Sequence, residues 1–153
     1  MPQGAFGLET PQDLLGKLRR EFERLRANPN DQDSAFNFFV TAEQMLDWVY
    51  PGNPNKNARE ALRNAELLLQ VVSHLASKSK HYDQLARHHR SVDSSGSVGP
   101  FFGGKFFGGG FFGSSRQMIQ FKGQAAKTFG ESMPAVELAQ RVLSFWEAEY
   151  PSV

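Results

Sequence analysis

Leu14, Leu15, Leu18, Phe22 and Leu25 recur at helical spacing, one apolar stripe in a segment otherwise made of Lys17, Arg19, Arg20, Glu21, Glu23, Arg24 and Arg26. That pattern predicts an amphipathic helix with a solvated charged face. Thr10-Pro11-Gln12-Asp13 supplies its start: a Thr cap, Pro at the first helical position and an acid in the first turn. Asn28-Pro29-Asn30 ends it, because the residue before a proline avoids the helical region. A second helix is expected to start near Asp33 or Ser34, run through AFNFFVTAEQMLDWVY and stop at Pro51-Gly52. Phe36, Phe38, Phe39, Val40, Ala42, Met45, Leu46, Trp48, Val49 and Tyr50 make it the most apolar of the helices, which predicts a central position. Asn53-Pro54 opens a third helical region reaching His88 or beyond, with Leu67, Leu68, Val71, Leu75, Tyr82, Leu85 and Ala86 on one face and a bend at Ser77–Ser79. A last helix is expected to start around Ser132-Met133-Pro134, with Ala135, Leu138, Ala139, Val142, Phe145 and Trp146 as its stripe, and to end at Tyr150-Pro151.

Between the third and fourth helices the pattern collapses. Residues 91–115 are rich in Gly and Ser and contain a repeat of period five, FFGGK, FFGGG, FFGSS. Such glycine density excludes a helix, since each Gly costs about 1 kcal/mol relative to Ala there. Arg116 to Phe121 alternates weakly, as a short strand would, and Lys122-Gly123 could turn it into a hairpin. The expected fold is therefore mostly α: a single domain over 1–153, a bundle of about four helices, with a Phe/Gly-rich insert at 91–115 that is a short β-hairpin or irregular.

Composition narrows the functional classes. At 153 residues, with 40% apolar and 22% charged, the chain is a globular domain and not a disordered segment. The absence of Cys removes disulfides, thiolate metal sites and Cys nucleophiles, and suits a reducing, cytoplasmic setting. MPQGAFGLETPQ has neither the basic flank nor the apolar run of a signal peptide, and no apolar run is long enough to span a membrane. The net charge of +1 hides an uneven distribution. Asp31, Asp33, Glu43 and Asp47 stand in 31–50 without a Lys or Arg, whereas 56–90 is basic and holds all four His.

Segment 35–51, AFNFFVTAEQMLDWVYP, followed by SKSKHYDQL at 77–85 and the closing LSFWEAEY at 143–150, resembles a group of small uncharacterised helical proteins. Their hallmarks are a Phe-Phe-Val-Thr-Ala helix ending in Asp-Trp and a later step matched here by Lys80-His81-Tyr82. The resemblance implies a helical fold and no particular site. More distantly, the bundle is similar to HEPN-type helical domains, many of which cleave RNA using an Arg followed, after four to six intervening residues, by a His on one helix. This chain departs from that spacing: Arg63 precedes His74 by eleven, and Arg87 directly precedes His88-His89. A divergent ribonuclease, toxin or phage-defence component would have to rely on Lys80, His81 and Arg87.

Among candidate chemistry, His74, His81 and His88 are spaced by seven, which puts their imidazoles about 10 Å apart on a helix, too far to share an ion. They are expected to be boundary histidines bonded to neighbouring helices or water. Glu43 and Asp47 lie one turn apart and lack an evident third ligand, so they read as a solvated face or as partners for the basic helix. No metal and no cofactor is implied. Lys78, Lys80, His81, Arg87 and Arg90 form a candidate surface for a polyanion or an acidic partner, and Lys78, placed by the helical wheel among core positions, either snorkels at the edge, pairs with an acid such as Asp47, or marks a bend at Ser77–Ser79. Phe101, Phe102, Phe106, Phe107, Phe111 and Phe112 form the candidate association loop: six rings cannot all stand bare to water, so the loop folds onto the bundle or grips another chain. The leading expectation is thus a non-enzymatic interaction module that binds a protein partner or itself, with weak non-specific nucleic-acid binding as a secondary property. If the basic helix meets RNA, affinity should fall steeply with added salt and be blind to sequence, which a filter-binding salt titration on several RNAs would read directly.

Overall fold

The computed structural model describes residues 4–80, 92–98 and 116–150. Their helices begin where the capping chemistry predicts. In α1 (Pro11–Ala27) the Thr10 hydroxyl accepts from the Asp13 amide at 3.1 Å. The Asp13 carboxylate reaches back to the amides of Glu9 and Thr10 at 2.9 and 3.0 Å, closing a capping box. Leu14, Leu15, Leu18, Phe22 and Leu25 are all buried, as the stripe requires. α2 (Gln32–Val49) starts two residues earlier than expected, because Asp31 and not Asp33 is its cap: the Asp31 carboxylate accepts from the amide and hydroxyl of Ser34 at 3.2 and 2.6 Å.

The third region is not one helix. A 3-10 turn at Asn53–Asn55 leads into α3 (Lys56–Ala65), the chain goes extended at Glu66, and α4 (Leu67–Lys80) follows. The break separates two faces of different character: α3 buries none of its residues, whereas Val71, Val72, Ser73, His74 and Leu75 of α4 are all buried in succession. Five consecutive buried residues cover every direction around a helix. α4 shares the central position expected of the second helix: α2 packs on α1, α4 and α6 and buries Phe38, Phe39, Met45 and Leu46, but keeps one open face with Phe36 half exposed.

Beyond it lie β1 (Val92–Val98), β2 (Arg116–Phe121), the short α5 (Gly123–Phe129), β3 (Ser132–Pro134) and α6 (Ala135–Glu149). The strands form a three-stranded antiparallel sheet in the order β1-β2-β3, with Val98 opposite Arg116 and Met118 opposite Pro134. Gly123 does turn the chain, at φ 61°, but into α5, and the return to the sheet is made by β3 after Gly130 closes that helix at φ 94°. Ser132-Met133-Pro134, expected to start the last helix, is that strand, and α6 begins one residue later. The main chain is thus mostly helical with a small sheet, and six α-helices occur among the described residues where about four were expected.

One continuous core joins these elements. α1 packs on α2 and α6, α4 packs on α2, α3, α6 and β1, and Trp146 of α6 is buried at the centre. Phe22, Phe38 and Phe39 meet edge to face, with centroids 6.3 and 5.1 Å apart. No helix among the described residues is long and apolar enough to cross a membrane. Phe38→Ala should cost about 3–5 kcal/mol by removing a fully buried ring. Trp48→Ala should cost clearly less because Trp48 is half-buried, and Phe36→Ala should stay within about 0.5 kcal/mol; urea unfolding of the three variants checks the ranking.

Candidate functional site

Polar chemistry gathers where α2, α3 and α4 meet. Glu43 and Asp47 stand one turn apart on α2, and Arg59 and Arg63 one turn apart on α3. The helices run so that Arg63 meets Glu43 at 3.1 Å and Arg59 meets Asp47 at 3.4 Å. Arg59 does more than pair. Its guanidinium donates to the carbonyls of Tyr50 and Gly52 at 2.6 and 2.7 Å, and so satisfies acceptors left over where α2 ends. Gln70 of α4 donates its side-chain amide to the carbonyls of Arg63 and Asn64 and ties down the end of α3.

Glu43 is the unusual member. Burial pushes its carboxyl up to about 7, and the neighbouring Asp47 charge pushes the same way, against the opposing pull of Arg63 and of a hydrogen bond with Ser73. A carboxyl in this state exchanges its proton near neutrality, a property shared by general acids and by pH-sensing groups. Arg63 adds a second irregularity: its Nε is buried with no hydrogen-bond partner among the described residues. Asp47, by contrast, is largely exposed. The cluster can hold and move a proton and can present guanidinium groups.

Asp47 pairs with Arg59 at 3.4 Å, and the reading of Lys78, including a pairing with Asp47, lies outside the described residues. Glu43 and Asp47 pair with Arg63 and Arg59 of α3, whereas the basic surface at 78–90 for which they were expected as partners lies outside the described residues. His74 is not a boundary residue: it is fully buried, and its Nδ1 accepts from the Val92 amide at 3.2 Å, joining α4 to β1. Lys78 and Lys80 lie in the last turn of α4, and their side chains are outside the described residues, as are His81, Arg87 and Arg90. Phe101, Phe102, Phe106, Phe107, Phe111 and Phe112 also lie outside the described residues. Among the described residues no three His, Asp or Glu converge as metal ligands.

A second charged cluster, read from the sequence as solvated surface, is partly internal. Glu21 is buried between Lys17 at 2.9 Å and Arg24 at 2.7 Å, and Lys17 also reaches the Thr41 hydroxyl of α2 at 3.3 Å. The signal was present: Glu21 falls seven residues after Leu14 and three after Leu18, at the edge of the apolar stripe. No family model matches the chain, and neither does any curated protein or solved structure.

The raised carboxyl has a thermodynamic consequence. A group that binds its proton more tightly in the folded state adds stability that is complete below its unfolded value, near 4.5, and is lost as the pH rises through about 7. Unfolding free energy should therefore fall between pH 5 and pH 8 by on the order of 2 kcal/mol. Glu43→Gln, neutral throughout, should remove that part of the slope in denaturant titrations at the two pH values.

Proposed function

We propose that the chain is a non-enzymatic interaction module of the cytoplasm, built on a bundle of its four longer helices and associating through the Phe/Gly-rich insert. The observation that carries this reading is the register of the hairpin. β1 and β2 run antiparallel with Val98 opposite Arg116, so residues 99–115 depart and return at one point of the sheet. The sheet is itself held at several places. Val92 is buried and bonded to His74, Gln117 bonds through its amide and side chain to the carbonyls of Pro29 and Asn30 at 3.0 and 3.1 Å, and the Phe121 amide reaches Glu131 at 2.9 Å. A segment closed at a fixed base can vary without moving the elements on either side, which is how association sites are grafted on scaffolds.

Chemistry of the segment supports association. Its six Phe rings need cover, and paired aromatics supply large contact area with few rotatable bonds. Ordering its glycines within one chain has an entropic cost that a partner surface would have to repay. Lys105 is the only charge in the repeat, so the recognition would be apolar. A secondary contact with RNA would fall to Lys78, Lys80, His81, Arg87 and Arg90.

Because Val98 and Arg116 face each other, residues 99–115 can be replaced by Asn-Gly, which closes a two-residue hairpin. The shortened chain should keep its helical circular dichroism and lose oligomer mass in light scattering, relative to the full chain at equal concentration. Loss of the helical signal would place the insert in the core. An unchanged mass would remove self-association, and sequence-selective RNA cleavage abolished by His81→Ala would replace this reading with a ribonuclease.

A further inference from the structure

One face of α2 is left open among the described residues. The core takes Phe38, Phe39, Ala42, Met45 and Leu46, Thr41 turns to Lys17 of α1, and Glu43 and Asp47 turn to α3. Opposite the core, Phe36 and Val40 stand one turn apart, with the exposed Asp33 and Asn37 beside them. Phe36 is 50% exposed. A lone exposed ring is ordinary on a protein surface, but this one adjoins the base of the Phe/Gly segment. Gln117 donates its backbone and side-chain amides to the carbonyls of Pro29 and Asn30 at 3.0 and 3.1 Å, directly before the Asp31 cap of α2. Val98 pairs with Arg116, so residues 99–115 leave and rejoin the sheet next to that anchor. Along the helix axis Phe36 lies about 9 Å and Val40 about 15 Å from Asn30. A segment of this length held at both ends reaches up to about 25 Å. Charge is complementary as well. Residues 99–116 carry Lys105 and Arg116 and no acid, whereas 31–50 carries Asp31, Asp33, Glu43 and Asp47 and no Lys or Arg.

We propose that the open face of α2 formed by Asp33, Phe36, Asn37 and Val40 receives the Phe/Gly segment of a second copy of this chain, two copies exchanging segments about a twofold axis. The inference rests on the reading of that segment as the association element and names the surface it grips. Within one copy Phe36 is left half exposed, so the face is free for the segment of another. The base of the segment and the face that receives it lie at the same corner of the molecule. One twofold rotation therefore satisfies both contacts and closes the pair. Had they stood at opposite ends, the same contact would propagate into an open chain of copies. Area agrees with a stable dimer. Each segment brings six Phe rings, and at about 150 Å² apiece two exchanged segments would bury about 1,800 Å², the size of a standard interface. Rings that do not seat on Phe36 and Val40 pack across the axis against those of the other segment. Lys105 and Arg116 approach the rim marked by Asp33, which orients the segment along the helix.

Sedimentation velocity on full-length variants tests this. Wild type should sediment as a dimer in the micromolar range. Phe36→Asp should sediment as a monomer with unchanged helical circular dichroism. Asn37→Arg, at an exposed polar position, should weaken the dimer independently by setting a like charge against Lys105 and Arg116. A chain with all six Phe of the repeat changed to Ser should also be monomeric. Mixing is the decisive step: the six-Ser chain keeps the face and the Phe36→Asp chain keeps the segment. Together they should form a one-to-one complex through a single exchange, weaker than the wild-type dimer by at least about tenfold because the second contact is lost. The proposal is overturned if wild type is monomeric, or if Phe36→Asp and Asn37→Arg both keep the wild-type dimer while the six-Ser chain does not, which would leave the segment as the association element with a different receiving surface. Failure of the mixture to associate overturns it too, as when each segment lies on its own copy. A dimer that persists in the six-Ser chain sinks the reading of the segment itself, and this inference with it.

Discussion

A helix surrounded on every side must satisfy its polar groups inside the protein, and α4 carries two of them, Ser73 and His74, within its buried run. An unsatisfied hydroxyl or imidazole there would cost one to several kcal/mol, by rough estimate, so both must find partners on neighbouring elements. The two partners organise opposite flanks of the molecule. Ser73 reaches Glu43 of α2, which draws in Arg63 and with it α3; His74 accepts from Val92, which sets the first residue of β1 against the core. The apolar residues around them, Leu69, Val71, Val72 and Leu75, provide burial without direction. It is the polar pair that specifies which surface of α4 takes the helical hairpin and which takes the sheet.

This division explains what could and could not be read from the chain. α1 was legible to the residue, because Thr10, Pro11 and Asp13 act within one turn and its stripe faces a single direction. α4 was not. Burial on all sides erases the amphipathic period that identifies a surface helix, and Ser73 and His74 made the run look half-exposed. The break at Glu66 carried no Gly or Pro to mark it, so α3 and α4 read as one helix. At the sheet, Lys122-Gly123 looked like a hairpin turn because a positive φ is indeed used there, but the residues that follow include Ala125, Ala126 and Phe129, which pack as a helix instead.

The candidate site was legible in part, and by a signal that went unused. Glu43 and Asp47 are four apart, Arg59 and Arg63 are four apart, and the two pairs flank a Pro-Gly turn. Antiparallel helices joined by a turn bring such pairs into register, the inner acid with the inner base and the outer with the outer, and the structure has Asp47 with Arg59 and Glu43 with Arg63. What the spacing could not reveal is that the outer carboxylate is half-buried, 26% exposed against 68% for Asp47. Asp47 remains in water, where an ion pair is worth little, while Glu43 lies beside Ser73 on a buried helix. The same charge pattern thus yields one ordinary surface contact and one carboxyl with altered proton affinity, and only packing distinguishes them.

Attachment of α3 by polar groups also bears on why the two ends of the molecule can serve different purposes. The strands on either side of residues 99–115 are fixed by buried contacts at Val92, Ile119 and Phe121, away from α3. α4 touches both flanks, Glu43 through Ser73 and Val92 through His74, side chains adjacent in sequence but pointing about 100° apart. Coupling between proton binding at Glu43 and the seating of β1 would require α4 to rotate or shift as a unit. Its close packing against α2, α6 and β1 opposes such movement. Among the described residues, α4 thus meets the Glu43 cluster and the first residue of β1 in different directions.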